Sequence, residues 1–206
     1  MPTFRVLSVD ARTAGSDRAG LAQLISDADP DAVCVHHAPH LGRWRQKVAV
    51  LARRSGRVVV AADGRRAGGN VLLSTLGVDA VTTGAARFSS DNRISPPGAA
   101  MALLRVEGRP VVLTAATLLG NAADRLAQAR ELQEAIERVV PGTPPAIVSA
   151  IGTDRPGTAA WQAVADGRIA VGGRFFVDEG IDVVEAKQLG EGTLLRPPAV
   201  LAVLTL

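Results

Sequence analysis

The three histidines of the chain fall within five positions, at His36, His37 and His40, directly after the apolar run Ala32-Val33-Cys34-Val35. Imidazole moves protons near neutral pH and ligates borderline metals such as Zn²⁺ and Mn²⁺. A strand that ends in such groups, with Asp10 closing an earlier β-rich segment, is a place where metal or proton chemistry can be assembled. Neighbours on a continuing strand face opposite ways, so His36 and His37 reach one cleft only if the strand has ended. His40, just ahead of a helical pattern, reads as a surface or capping histidine. Cys34 is the sole cysteine, which excludes an internal disulfide and a cysteine-rich metal site; inside an apolar run it reads as a core thiol.

A second feature is charge. All but Lys47 and Lys187 of the 23 cations are arginine. Arg43, Arg45, Lys47, Arg53, Arg54, Arg57, Arg65 and Arg66 follow His40 with Asp63 as the only acid among them. Such a stretch attracts phosphate, nucleic acid or an acidic partner, or is a solvated helix face in an arginine-rich chain. Only Trp44 is interleaved for base stacking, so nucleic acid is possible but not favoured. The glycines at 68 and 69 lack the spacing and the lysine of a phosphate loop and read as a turn.

The elements that must position these groups alternate along the chain. Phe4 to Val9 is a short strand, and Ser16 caps a helix with Leu21, Leu24, Ile25 and Ala28 on one face. Asp29-Pro30-Asp31 stops it, because a residue before proline disfavours helical dihedrals. Strand Ala32 to His37 follows, then a helix over Leu41 to Arg54 with Leu41, Trp44, Val48 and Leu51 inward and Gly56 as terminator. Arg57 to Ala62 and Val71 to Ser74 are strands, as is Ala80 to Thr83. Ala99 to Val106 and Pro110 to Ala116 form a hairpin through Glu107-Gly108-Arg109, after a polar loop over Ser89 to Gly98. Asn121 caps the longest helix, with Leu126, Ala129, Leu132, Ile136 and Val139 in one stripe. Ala146 to Ala150 is a strand, Thr158 to Ala165 a short helix, and the chain closes on the strand Ala199 to Leu206.

With 206 residues, 47% of them hydrophobic and 21% charged, and no linker or repeat, the expected architecture is one domain over residues 1–206. It is an α/β, four-layer α/β/β/α sandwich: two mixed, mainly antiparallel sheets face to face with helices outside. No apolar stretch reaches the roughly 18 residues of a membrane span and no signal peptide is visible, so the cytoplasm is the expected compartment.

This order of motifs resembles the endonuclease/exonuclease/phosphatase superfamily of metal-dependent phosphoesterases. Phe4 to Asp10 resembles its opening strand, and Asp29 to His37 its second. Gly69-Asn70-Val71-Leu72-Leu73-Ser74 is similar to its Gly-Asn-Ala-Ile-Leu-Ser strand. Val111 to Leu118 resembles the strand ending Thr-His-Leu, and Arg125-Leu126-Ala127-Gln128 the helix after it. Ala146 to Gly152 occupies the place of Gly-Asp-Phe-Asn, and Leu194 to Val203 that of the closing Ser-Asp-His-x-Pro strand.

The resemblance implies the fold but departs at the chemical positions. Asp10 stands for the strand-end Asn and His37 for the Mg²⁺-binding Glu. Thr117 stands for the His of Thr-His-Leu. Ser149, Ala150, Ile151 and Gly152 replace Gly-Asp-Phe-Asn, Leu195 and Arg196 replace the last Asp-His, and Gly173 stands where an earlier structural Asp is expected. Phosphoester cleavage in the family needs a hard cation on carboxylates, a base and phosphoryl-binding groups. The resemblance therefore implies a non-catalytic relative, with no catalytic residue and no cofactor, that binds a protein or an anionic ligand. Asp10, His36, His37, Asn70, Thr117 and Arg196 would mark the vestigial pocket. Arg43, Arg45, Lys47, Arg53, Arg54 and Arg57 would form a basic face beside it. Two alternatives stay open. One is a divergent metal-dependent phosphodiesterase, phosphatase or nuclease with Mg²⁺, Mn²⁺ or Zn²⁺ on Asp10, His37 and a displaced Asp154. The other is a nucleic-acid binder acting through the basic face.

Overall fold

Two pairs of parallel strands, each pair joined through a helix, set the architecture. The computed structural model describes residues 1–12, 17–140, 142, 144–153, 155–190 and 198–206. The first half runs β1 (Thr3–Asp10), α1 (Arg18–Ala28), β2 (Ala32–His36), α2 (Trp44–Arg54), β3 (Val58–Ala62) and β4 (Val71–Ser74). The middle runs β5 (Asp79–Arg87), β6 (Gly98–Val106), β7 (Arg109–Thr117), α3 (Ala122–Val139) and β8 (Ala146–Ile151). Last come α4 (Ala159–Ala165), β9 (Arg168–Val171), β10 (Phe175–Asp178), β11 (Asp182–Leu189) and β12 (Ala199–Thr205).

One sheet has the order β11-β12-β1-β2-β4-β3 and the other β5-β6-β7-β8-β10-β9. Only β1 with β2 and β7 with β8 pair in parallel; the remaining neighbours are antiparallel. This is the expected mixed, mainly antiparallel pair of sheets. The β6–β7 hairpin turns on Glu107 and Gly108, both with positive φ (48° and 84°), as a two-residue loop matching the strand twist requires.

Side-chain alternation then builds three apolar layers. Phe4 and Val6 of β1, Ala32 and Cys34 of β2 and Leu72 of β4 face Leu113, Ala115, Ile147, Phe175 and Val177 between the sheets. Leu7, Val9, Val33, Val35 and Leu73 turn the other way onto α1 and α2. Val112, Val148, Ala150 and Phe176 turn onto α3 and α4, where the Trp161 ring meets Phe176 edge-on at 4.7 Å. Cys34 is fully buried in the middle layer, its Sγ 3.9 Å from the Thr114 carbonyl. Burial pushes its thiol pKa well above the ordinary range, only partly offset by a bond to Ser149. No helix among the described residues is long and apolar enough to cross a membrane.

Several local expectations shift. Asp17, not Ser16, caps α1, its carboxylate accepting from the Gly20 amide; Ser16 lies outside the described residues. α2 begins at Trp44 rather than Leu41, which is exposed ahead of it. β5 runs to Arg87, well past Thr83, because β6 pairs with it along its whole length. Asn121 caps α3 as expected, in a reciprocal capping box with Asp124.

The largest fully buried side chains include Phe4, Phe175 and Phe176, and Phe175 fills the middle layer from β10. Phe175→Ala is expected to cost about 3–5 kcal/mol in urea unfolding, with β-rich circular dichroism retained.

Candidate functional site

The same alternation that buries Phe4, Val6, Ala32 and Cys34 carries Ser8 and Asp10 on β1 and His36 on β2 to the inner face near the strand ends. On the opposing sheet it brings Ser149 on β8 and Thr117 on β7 to the same face. These polar groups are nearly or fully buried and satisfy one another across the gap. Asn70, just before β4, donates through Nδ2 to the carbonyls of Ala67 (2.7 Å) and Gly98 (2.9 Å), so its Oδ1 is the acceptor. That oxygen receives the Thr117 hydroxyl at 2.9 Å and His36 Nδ1–H at 2.9 Å. His36 Nε2 is therefore the unprotonated nitrogen, lying 2.8 Å from Ser149 Oγ and 3.3 Å from Ser8 Oγ. Ser149 and Ser8 are themselves 2.8 Å apart. The imidazole is neutral. Desolvation, with a contribution from the positive charge of Arg174, pushes its pKa down to about 3 against the opposing bond to Asn70.

β2 ends at His36, and His37 follows in the left-handed region at φ 50°. This turn brings His37 beside Asp10 although His36 already faces inward. His37 Nδ1 lies 3.1 Å from Asp10 Oδ1. The Arg12 amide donates to the same oxygen at 3.0 Å, and Arg12 Nη2 reaches Oδ2 at 3.2 Å. Arg174, also buried, acts on Asp10 electrostatically. Burial raises the Asp10 pKa, but His37 and Arg12 outweigh it and hold the carboxyl well below the ordinary carboxylate range.

The sequence-expected residues are thus only partly brought together. Asp10 and His37 are paired at the strand ends. His36, Asn70 and Thr117 lie inside the sandwich as an inter-sheet bridge rather than lining its mouth. Asp154, Leu195 and Arg196 lie outside the described residues. Ala150, set on the carboxylate position by resemblance, faces α3 and α4. The inward residues of β8 are Ser149 and, by the same alternation, Ile151, so neither frame supplies a carboxylate on this strand.

The basic stretch is also divided. Arg57 is not a surface charge: its side chain is 7% exposed, donating to Asp29 Oδ1 (2.8 Å) and the Pro30 carbonyl (3.0 Å). Arg45 stacks over the Trp44 ring at 4.5 Å. Arg43, Arg53 and Arg54 are exposed, while Lys47 is half-buried. His40 is tied across the sandwich, Nε2 lying 3.1 Å from the Ile94 carbonyl.

Arg174, Arg12, Ser8 and Ser149 escaped the sequence reading. The period-two placement of Ser8 and Ser149 within apolar strands was a usable signal. Arg174, next to Gly173 in a turn, gave none. The adjacent glycines have a steric role, since a Cβ on Gly68 (φ 63°) would sit 2.6 Å from the Gly98 amide nitrogen. Gln128 brackets Leu119, accepting from its amide at 2.8 Å and donating to its carbonyl at 3.0 Å, which fixes the loop after β7.

The described donor set does not suit a hard divalent cation. Asp10 is already engaged by the Arg12 guanidinium and the His37 imidazole in the field of Arg174, and among the described residues no three His, Cys, Asp or Glu side chains group as metal ligands.

Known structures share this architecture. An endonuclease/exonuclease/phosphatase from Bacteroides vulgatus superposes with a TM-score of 0.78 at 12% identity, covering 100% of both chains. A mannosyl-6-phosphatase from Bacteroides thetaiotaomicron gives 0.76 at 14% identity over 98% of this chain and 100% of that one. The catalytic domain of human Nocturnin with bound sulfate gives 0.77 at 14% identity over 99% and 93%. No protein-family model and no curated protein sequence matches the chain. The chain has the α/β sandwich fold of the endonuclease/exonuclease/phosphatase superfamily.

The buried His36 sets a pH dependence. Between its ordinary value of 6.5 and about 3, the unfolded chain takes up a proton that the folded chain refuses, so stability rises with pH across that window. Asp10 adds to the acid loss, its contribution fading as pH falls below the ordinary 3.8. Urea unfolding between pH 7.5 and 4.5 is expected to lose stability toward a slope of about 1.4 kcal/mol per pH unit. His36→Gln, which keeps a donor and an acceptor, should flatten that slope; an unchanged slope would assign the acid loss to other groups.

Proposed function

We propose that this protein is a non-hydrolytic binding protein built on a phosphoesterase fold. The observation that carries the reading is the state of Asp10, the strand-end carboxylate bound by Arg12 and His37 and lying in the field of Arg174. A carboxylate so neutralised is a poor ligand for Mg²⁺, and the inward positions of β8 offer no second one. Hydrolysis of a phosphoester by the two-carboxylate, metal-bound route has nothing to stand on at these residues. The partner is an anionic small molecule or an acidic protein surface. Nucleic acid is the weaker reading, because Arg57 is internal and Arg45 covers the Trp44 face that a base would need.

One observation favours a second reading. Asp10 holds His37 through Nδ1, while His37 Nε2 is buried without a hydrogen-bond partner. An oriented imidazole of this kind is the arrangement of a general base, and a divergent hydrolase would use it without a metal.

Purified protein with Mg²⁺, Mn²⁺, Zn²⁺ or chelator is expected to show no turnover of bis(4-nitrophenyl) phosphate, 4-nitrophenyl phosphate or a short DNA duplex. Metal-dependent turnover abolished by Asp10→Ala would overturn the reading in favour of a rebuilt metal site. Turnover that persists in chelator and is lost in His37→Gln would establish the base instead.

A further inference from the structure

β1 and β2 are parallel and each is followed in the chain by a helix, so α1 and α2 both begin at the end of the sheet where Asp10 and His37 sit. Between the starts of these helices, and on the helix side of the sheet, lies a cavity of about 340 Å³. A second, of about 240 Å³, continues it along α2 and shares Arg18, Lys47 and Leu51 with it. This space is distinct from the inter-sheet bridge: of that cluster and its neighbours only His37 lines it.

Four observations define its chemistry. Its walls are apolar, with Leu21, Leu41 and Leu51 among them. Among the described residues its charged lining is cationic, from Arg18 and Lys47, with Arg54 further along, and no acidic side chain lines either part. The first turn of α2 holds no acidic residue, and its N-cap Arg43 makes no side-chain capping bond. Amide groups at that helix start add a positive potential that no acidic residue of the first turn and no capping side chain offsets. His37 adds a buried Nε2 with no hydrogen-bond partner. An apolar chamber with cations at its rim accepts a molecule with a single anionic head on an apolar body; inorganic ions alone would leave its walls unfilled, and a neutral apolar molecule would leave its charge unmatched.

We infer that this α1–α2 cavity binds a small organic anion, a carboxylate or phosphate monoester head carried on an apolar body. The inference deepens the binding reading above and rests on it only in expecting the ligand to be returned unchanged. Lys47 and Arg18 hold the head, and the leucines bury the body.

Isothermal titration with octanoate, octyl phosphate, octanol, acetate and inorganic phosphate tests it on the intact chain. At least one octyl anion is expected to bind about tenfold or more tightly than octanol and than its own tail-less head. Lys47→Gln and Arg18→Gln, both at the rim, should each weaken that binding about tenfold at unchanged melting temperature. The preference between octanoate and octyl phosphate reports which head the site takes. Equal binding of octanol, equal binding of the bare heads, unaltered affinity in both variants, or no binding of either octyl anion at about 10 mM would each overturn the site. Recovered ligand separates the two ideas. Octyl phosphate bound and converted to octanol supports the cavity and removes the non-hydrolytic reading, whereas absent binding removes the cavity and leaves that reading intact.

Discussion

A buried imidazole has no water to turn to and must find both of its hydrogen bonds in protein; His36 finds one in each sheet. Asn70 receives its Nδ1–H on its own side, and Ser149 faces its Nε2 from the other. Each partner is held in turn, Asn70 by two backbone carbonyls and Ser149 by Ser8. Leaving any one of these groups unsatisfied in the low-dielectric interior costs about 1–3 kcal/mol, more than a typical surface hydrogen bond contributes. The apolar layer between the sheets resists separation but is indifferent to small sliding. The polar chain from Ser8 to Thr117 is directional, so it fixes how the two sheets register against each other.

That fixed register decides what the strand ends can do. With His36 turned inward and β2 terminated, His37 adopts its left-handed backbone and swings to Asp10. Asp10 thereby gains an imidazole partner beside the Arg12 guanidinium and in the field of Arg174 before any ligand arrives, the reverse of the electron-rich pocket that a hard cation demands. The carboxylate's low proton affinity and the imidazole's low proton affinity have opposite electrostatic origins. Cationic and hydrogen-bonding neighbours outweigh burial at Asp10, whereas burial and a nearby guanidinium act together on His36. Two ionisable groups a few ångströms apart are thus locked in one protonation state each across the physiological range.

Much of the scaffold was legible because its signals are local and periodic: short apolar, β-rich runs marked β1, β2 and β8, the cap at Asn121 marked α3, and Glu107-Gly108-Arg109 marked the β6–β7 hairpin. Motif order carried the sheet arrangement. The site was less legible because its partners are distant in sequence: Ser149 meets Ser8 across 141 positions. Arg174 reaches the cluster from a turn that no pattern marks. Arg57 reads as one more surface charge until the carbonyl of Pro30 and the carboxylate of Asp29 are seen to claim it. Resemblance misjudged β8 for a different reason. It aligned letters, while the two-residue period of a strand decides which letter faces the gap, and Ala150 faces away.

Cys34 turns this architecture into something an experimenter can read. Its sulfur lies at the centre of the layer that joins the sheets, fully shielded and reluctant to ionise. An alkylating reagent meets a thiolate there only when the sandwich parts, since neither helix fraying nor loop motion uncovers it. The chain therefore carries its own single-site clock for global opening, one whose rate of ticking measures how long the two halves stay clasped.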